Sequence, residues 1–270
     1  MVLNQRKYVL DILEEAGLTV SRPSPTPITP NHHLGHDPSS PDKDPTSYRP
    51  LVGRLLYLTV TRLDITYAIN MLSQAVQSPT QAHVDTVVRV LRYLKASPGR
   101  GLFLPVVGDL SLTAHCDADW AGCPTTRRST IGYFITLGSS PVSWRTKKQS
   151  VVARSSADAE YRAMASTISE VIWLRWLPCD LVVQLSSPTP LYCDNQAALH
   201  IAANLVFHER TKHVEMDYYF VRERVHSGDV VACKVATSEQ PADLFTKGLS
   251  VDQFTHLLVK LGLLDIHSFA

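Results

Sequence analysis

No run of apolar residues in this chain approaches the length that crosses a bilayer. The opening "MVLNQRKYVLDILEEAG" spaces its apolar residues as an amphipathic helix does, unlike the continuous apolar stretch of a signal peptide. Cysteine is scarce and scattered. Cys116, Cys123, Cys179, Cys193 and Cys233 are odd in number and form no CxxC pair, which argues against a disulfide framework or a zinc knuckle and for a reducing, intracellular setting. Neither sign of charge prevails: 26 Lys and Arg meet 25 Asp and Glu, so any nucleic-acid contact has to come from local patches. A GxSxG elbow is missing too, and "HCD" has no identifiable nucleophile beside it, which sets Ser-His-Asp chemistry aside. What is present is a hydrophobic fraction of 44% over 270 residues, enough for a sizeable core in one large domain or two ordinary ones.

Residues 4–16 read as a helix with Tyr8, Ile12, Leu13 and Ala16 on one side, stopped by Gly17. The Pro-, Ser-, Asp- and His-rich stretch that follows buries little apolar surface and is expected to be an extended surface linker, with His32, His33 and His36 solvated. Three helical patterns come next: "YRPLVGRLLYLTV", "LDITYAINMLSQAV" and "TQAHVDTVVRVLRYLKAS". The last starts at a Thr cap and carries Arg89, Arg92 and Lys95 on its polar side, facing either solvent or a nucleic-acid backbone. After "SPGRG" the period changes. "LSLTAHCD", "STIGYFITLG" and "PVSWRTK" read as strands, Ser155 to Leu177 as a long helix, and "PLYCD" as a short buried strand. Helices at "NQAALHIAA" and "TKHVEMDYYFVRERVHSG", a strand at "DVVACKVAT" and closing helices from "PADLFTKGL" complete the order. An antiparallel meander joined through a crossover helix to parallel strands gives an α/β fold, a mixed sheet flanked by helices.

Function in open α/β sheets gathers at strand ends. Asp117 ends the first strand of this half and Asp194 the fourth, while Glu160 lies early in the long helix and Asp243 early in the element after the last strand. If the first and fourth strands are neighbours, all four acids converge. Uncompensated, they would repel and raise one another's pKa values, a conflict that hard divalent cations resolve. Two such ions, about 4 Å apart, clamp the attacking and leaving oxygens of a phosphodiester. Each acid also has a bland reading. Asp117 and Asp119 can initiate a turn, Asp194 can cap a helix, and Asp243 can favour a helix dipole. Asp158 fits a capping box with Ser155, which leaves Glu160 in need of another explanation.

The blocks "CDADWAGC", "RRSTIGYFITLG", "PVSWRTKKQSVVARSSADAEYRAMA", "LYCDNQAAL", "HERTKHVEMDYYFVRE" and "SEQPADLFTKGL" resemble the ribonuclease H domain of Ty1/copia-type retrotransposon polyproteins. "LNQRKYVLDILEEAGL", "YRPLVGRLLYLTVTRLDITYAINMLSQ" and "RVLRYLK" resemble the end of that family's reverse transcriptase and its connection. The resemblance implies a ribonuclease H-like mixed five-stranded sheet flanked by helices, preceded by a smaller, mainly helical reverse-transcriptase remnant. The expected segments are a reverse-transcriptase helix over 1–20, a linker over 21–47, a helical remnant over 48–100, a ribonuclease H-like domain over 101–250, and a C-terminal helix and tail over 251–270.

The implied activity is endonucleolytic hydrolysis of the RNA strand of an RNA–DNA hybrid with two Mg²⁺ or Mn²⁺ ions. Asp117, Glu160, Asp194 and Asp243 are the implied metal-binding, catalytic carboxylates, with Asp119 secondary. Softer candidates for nucleic-acid contact are Arg127, Arg128, Lys147, Lys148, Ser155, Ser156, Asn195, Arg210, Lys212 and His213. The implied partners are the hybrid and the upstream reverse-transcriptase domains, with no membrane, in the cytoplasm (a virus-like particle) or the nucleus. An inactive hybrid-binding remnant of a decayed element is the alternative. Three departures stand out. There is no YxDD segment, so this stretch is not expected to copy nucleic acid. Leu63 replaces the family's Pro in "TRPDI", and "ATSEQPAD" lacks the His that cellular ribonucleases H carry before the last acid.

Overall fold

The computed structural model describes residues 1–32, 34, 43–106, 110–180, 185, 187–203 and 212–266, with the backbone alone for 179 and 212–215. In chain order the regular elements are β1 (Val2–Leu3), α1 (Arg6–Glu15), α2 (Pro45–Leu58), α3 (Thr66–Ser73), α4 (Gln81–Ala96), β2 (Arg100–Phe103), β3 (Leu112–Asp119) and β4 (Thr130–Leu137). They continue with β5 (Ser140–Lys148), α5 (Ser156–Asp180), β6 (Thr189–Cys193), α6 (Gln196–Ala203), α7 (Lys212–His226), β7 (Val230–Lys234), α8 (Val251–Leu258) and β8 (Leu263–Asp265). They form two compact units. One comprises Met1–Pro105 with Lys247–Ala270, the other Val106–Thr246.

In the first unit, α1 buries Val9, Ile12 and Leu13, one stripe at helical spacing, and Gly17 ends it at φ 66°. Helix α2 starts three residues before the expected Tyr48. Asp44 caps it, its Oδ1 accepting from Thr46 N at 2.9 Å, and Pro45 fills the first helical position, where no N–H is needed. Thr80 caps α4 as expected, with His83 closing the capping box through Thr80 N and Oγ1. Two features differ from expectation. The first part of the linker is not a solvated strap: Ser24, Thr26 and Ile28 are buried, and Ser24 N donates to Arg92 O at 3.1 Å. His32 likewise binds the Tyr67 hydroxyl at 2.8 Å, whereas His33 and His36 lie outside the described residues. The second feature is a small antiparallel sheet, in the order β1–β2–β8, that joins both ends of the chain.

The centre of this unit is a buried charge pair on either side of Leu63. Arg62 Nε and Nη2 grip Asp64 Oδ1 and Oδ2 at 2.9 and 2.8 Å, and Arg62 Nη1 donates to Ser97 O at 2.8 Å. The Tyr93 hydroxyl donates to Asp64 Oδ2 at 2.6 Å, and Arg100 Nη1 stands 3.6 Å from the same oxygen. Burial works against the Asp64 charge, but Arg62, Arg100 and Tyr93 together outweigh it and hold the carboxyl below its ordinary value.

The second unit is a five-stranded mixed sheet in the order β5–β4–β3–β6–β7. Strands β3, β4 and β5 form an antiparallel meander, and β6 and β7 run parallel to β3. Alternation decides the faces. Leu112, Ala114, Cys116 and Ala118 of β3, with Ile131, Tyr133 and Ile135 of β4, join a core beneath Ala159, Tyr161, Ala163, Met164, Ile168 and Val171 of α5. The sheet and flanking helices match the expected fold class. The element after β7 does not: Pro241–Phe245 is a 3-10 turn where a helix was expected. It packs on the other side of β4, where Phe245 stacks on Phe134 with centroids 5.9 Å apart.

Removing the partner of a buried charge leaves the other uncompensated, at about 3–5 kcal/mol. Asp64→Asn should therefore lower the urea-unfolding free energy by about that much, whereas a loss under ~1 kcal/mol would show the Arg62 charge is satisfied without it.

Candidate active site

The parallel pairing of β3 with β6 covers only Ala114↔Leu191 and His115↔Tyr192. Beyond it the strands are bridged by a side chain. Gln240, fully buried, donates from Nε2 to Cys116 O at 2.9 Å and to Tyr192 O at 3.3 Å, while its Oε1 meets His115 Nδ1 at 3.2 Å. Asp117 and Cys193, with Asp194 after it, follow immediately on the two strands. The acids thus sit where the sheet opens at the carboxyl ends of its strands.

Each acid is held separately. Asp117 is buried two residues before the end of β3, and its Oδ2 accepts from the Thr246 hydroxyl. Asp194 Oδ2 accepts from Thr237 Oγ1 at 2.8 Å. Glu160 reaches over from α5, where its Oε1 accepts from Ala118 N at 3.2 Å, a strand amide beyond the last β3–β6 pair. Asp243 lies fully buried in the Pro241–Phe245 turn. That turn is pinned to β4 and β5. Thr146 Oγ1 donates to Phe245 O at 2.7 Å, and a Cβ on Gly132 would fall 2.7 Å from Phe245 Cβ, so glycine is what lets the turn approach.

The result brings all four expected acids together. Donor atoms of Asp117, Asp194 and Asp243 lie within 4.8 Å of one another, as do those of Glu160, Cys193 and Asp194. The first set is all carboxylate oxygen, the chemistry that Mg²⁺ and Mn²⁺ take, so these residues fit a hard divalent cation. Burial, then the charges of Asp117, Cys193 and Asp194, push the Glu160 carboxyl up to about 11. The bland reading of Asp194 fails for a plain reason: Asn195 does the capping, its Oδ1 accepting from Ala198 N at 3.0 Å. Asp158 is the helix-starting acid expected. Its N–H donates to Ser155 Oγ at 3.1 Å, and its carboxylate takes Arg154 N and Arg162.

Asp119, the last residue of β3, is in neither donor set. Arg127 and Arg128 are exposed on the β3–β4 turn, Lys147 is exposed near the end of β5, and Ser155 and Ser156 are exposed at the start of α5. Lys148 is beside Cys123. Burial raises that thiol, but Lys148 and the turn around Thr126 win and lower it to about 7. Arg210 and the side chains of Lys212 and His213 lie outside the described residues. Sequence reading missed Cys193, whose thiol stands 3.8 Å from Glu160 Oε2, and Gln240. Adjacency to Asp194 was a usable signal for the first. Nothing local marks the second.

The chain is 44% identical over 260 residues to the "Retrovirus-related Pol polyprotein from transposon RE1" of Arabidopsis thaliana, covering 96% of this chain and 18% of that protein. It is 33% identical over 264 residues to the "Retrovirus-related Pol polyprotein from transposon TNT 1-94" of Nicotiana tabacum, covering 93% of this chain and 19% of that one. The chain thus spans about a fifth of the length of these relatives. Among solved structures it is similar to the RNase H1 of Halobacterium salinarum NRC-1, at a TM-score of 0.34 and 13% identity over 47% of this chain and 87% of that chain. That likeness is too slight to assign the fold, which stands on strand order and register. No protein-family model matches the chain.

In the metal-free protein Glu160 keeps its proton when folded and gives it up on unfolding at any pH between its ordinary value and about 11. The unfolded state binds fewer protons there, so stability falls as pH rises through that window. Glu160→Gln cannot ionise and should flatten the melting-temperature profile between about pH 5 and 9 in EDTA. An unchanged slope would place the titrating group elsewhere.

Proposed function

The chain belongs to the retrovirus-related Pol polyproteins of transposons, and from that premise we propose that its mixed-sheet unit hydrolyses the RNA strand of RNA–DNA hybrids. The observation that carries the reading is the convergence of Asp117, Glu160, Asp194 and Asp243 where β3 and β6 part. The element is read as Ty1/copia-type. Residues 1–100 are read as the end of its reverse transcriptase and connection, and further reverse-transcriptase domains as partners.

Asp117, Asp194 and Asp243 would hold one divalent ion, and Glu160 with Asp194 the edge of a second, Mg²⁺ or Mn²⁺ in each case. Such ions supply the positive charge that prepares water for attack on a phosphodiester and steadies the departing 3′ oxygen. The protein's part is positioning. Hydroxyls of Thr246 and Thr237 orient Asp117 and Asp194, and the Ala118 amide aims Glu160. Gln240 keeps β3 and β6 at the separation from which the acids project. Cleavage would leave a 3′-hydroxyl and a 5′-phosphate. DNA is spared because 2′-hydroxyls and hybrid shape identify the strand. Arg127, Arg128 and Lys147, exposed on the meander, are the candidate phosphate contacts, with Ser155 and Ser156 at the start of α5.

The test is Mg²⁺-dependent cleavage of a labelled RNA–DNA hybrid beside DNA–DNA and RNA–RNA duplexes. Hybrid-only cutting should fall at least ~100-fold in Asp194→Asn, the order lost when transition-state charge goes unstabilised. No cutting by folded, hybrid-binding protein would sink the reading. A gentler change is Gln240→Ala. It removes no ligand yet should weaken Mn²⁺ affinity or rate about 10–100-fold, as loss of a supporting contact does.

A further inference from the structure

The basic face of α4, unused by the carboxylate site, lines a cleft of its own in the first unit. Residues 21–29 dock alongside the helix. Arg92 Nε donates to Arg22 O at 2.5 Å, the Lys95 ammonium to Ser21 O, and Arg89 Nη2 to Thr26 Oγ1 at 2.8 Å. Between helix and segment lies a cleft of about 490 Å³, lined by Arg22, Arg89 and Arg92 together with Thr29, Asp85 and Thr86.

Three guanidiniums meet one carboxylate there, and Asp85 Oδ1 already accepts from Gln81 Nε2 at 2.7 Å. Among the described residues no carboxylate forms an ion pair with any of the three arginines. Arg89 Nε is buried with no hydrogen-bond partner. Burial, and then the neighbouring Arg92 charge, hold the Arg89 guanidinium below its ordinary value. Like charges one helical turn apart, with a donor withdrawn from water, are an unfavourable arrangement in the absence of an anion. An anion in the cleft would relieve the repulsion.

The planar fork of arginine matches phosphate oxygens. Arg89 and Arg92 lie three residues apart, which puts their attachment points about 5–6 Å apart along the helix. With Arg22 they bring three guanidiniums to one cleft, more than a single phosphate needs and suited to a polyanion. We propose that this cleft grips the phosphodiester backbone of a nucleic-acid duplex without regard to sequence. The inference rests on the reading that this chain acts on nucleic acid, but it concerns residues the hydrolytic site does not contain.

The experiment is fluorescence anisotropy of the full chain with a labelled RNA–DNA hybrid in EDTA, across a range of chloride concentrations. Each phosphate contact contributes about 0.9 to the slope of log affinity against log salt. Arg89→Gln with Arg92→Gln should lower that slope by ~1.8, and Arg22→Gln, an exposed position, by ~0.9. Arg89→Lys with Arg92→Lys should keep most of it. An unchanged slope in Gln variants that melt like wild type would overturn the proposal. Inorganic phosphate at matched ionic strength should displace the hybrid no better than chloride. Preferential displacement would make the cleft a small-anion pocket and overturn it too. The hydrolase reading is judged separately by wild-type cleavage with Mg²⁺. Slope loss without cleavage keeps the cleft and rejects the hydrolase, and cleavage with unchanged slopes does the reverse.

Discussion

Carboxylates repel, and the second unit is arranged around bringing four of them together. A sheet that kept pairing would have no room for them. Strands β3 and β6 stop exchanging backbone bonds after His115 and Tyr192, and the Gln240 amide takes over the freed carbonyls. The opening so made receives Glu160 from α5 and Asp243 from a 3-10 turn that Gly132 allows to sit close. The cost is visible at Glu160, whose carboxyl burial, and then its acidic neighbours, push up to about 11. Under the proposed function, divalent cations held by these carboxylates would offset that cost.

The first unit treats a buried acid in the opposite way. Asp64 has Arg62 on both oxygens, with Tyr93 and Arg100 behind, and its carboxyl lies below the ordinary value. Compensation keeps Asp64 ionised as a structural brace, whereas Glu160, without a cation beside it, keeps its proton. The first unit also gathers positive charge, three arginines lining the cleft beside α4 with one carboxylate, Asp85. The two proposals thus rest on opposite charge: cations would answer the acids of the second unit, and phosphates the arginines of the first.

Chain path also separates the units. The chain leaves the first after Pro105 and returns at Lys247, and α8 and β8 then complete what α1 to α4 began. Phe254 of α8 meets Tyr93 edge-on at 5.6 Å, and β8 pairs with β2. Residues 251–266, in the segment expected as a helix and tail, thus pack within the helical unit.

Periodicity alone determined most elements of both units, because helices and strands eight or more residues long show their 3.6 or 2-residue repeat directly. Asp117, Glu160 and Asp194 stood in or beside elements whose type was readable, whereas Asp243 lies in a 3-10 turn that the sequence presented as a helix. Tertiary structure decided the rest. Strands of two to four residues are too short to show a repeat, so the β1–β2–β8 sheet stayed hidden. Segment 21–29 has a linker's composition, yet its carbonyls and Thr26 take the side chains of Arg92, Lys95 and Arg89. Asp194 and Asn195 are both good caps by type. Only the path of the chain after β6 gives the cap to Asn195 and turns Asp194 toward Asp117. Gln240 lies over 120 residues from the strand carbonyl it holds. Contacts at that separation depend on which strands become neighbours, and adjacency in a sheet is written in no local pattern.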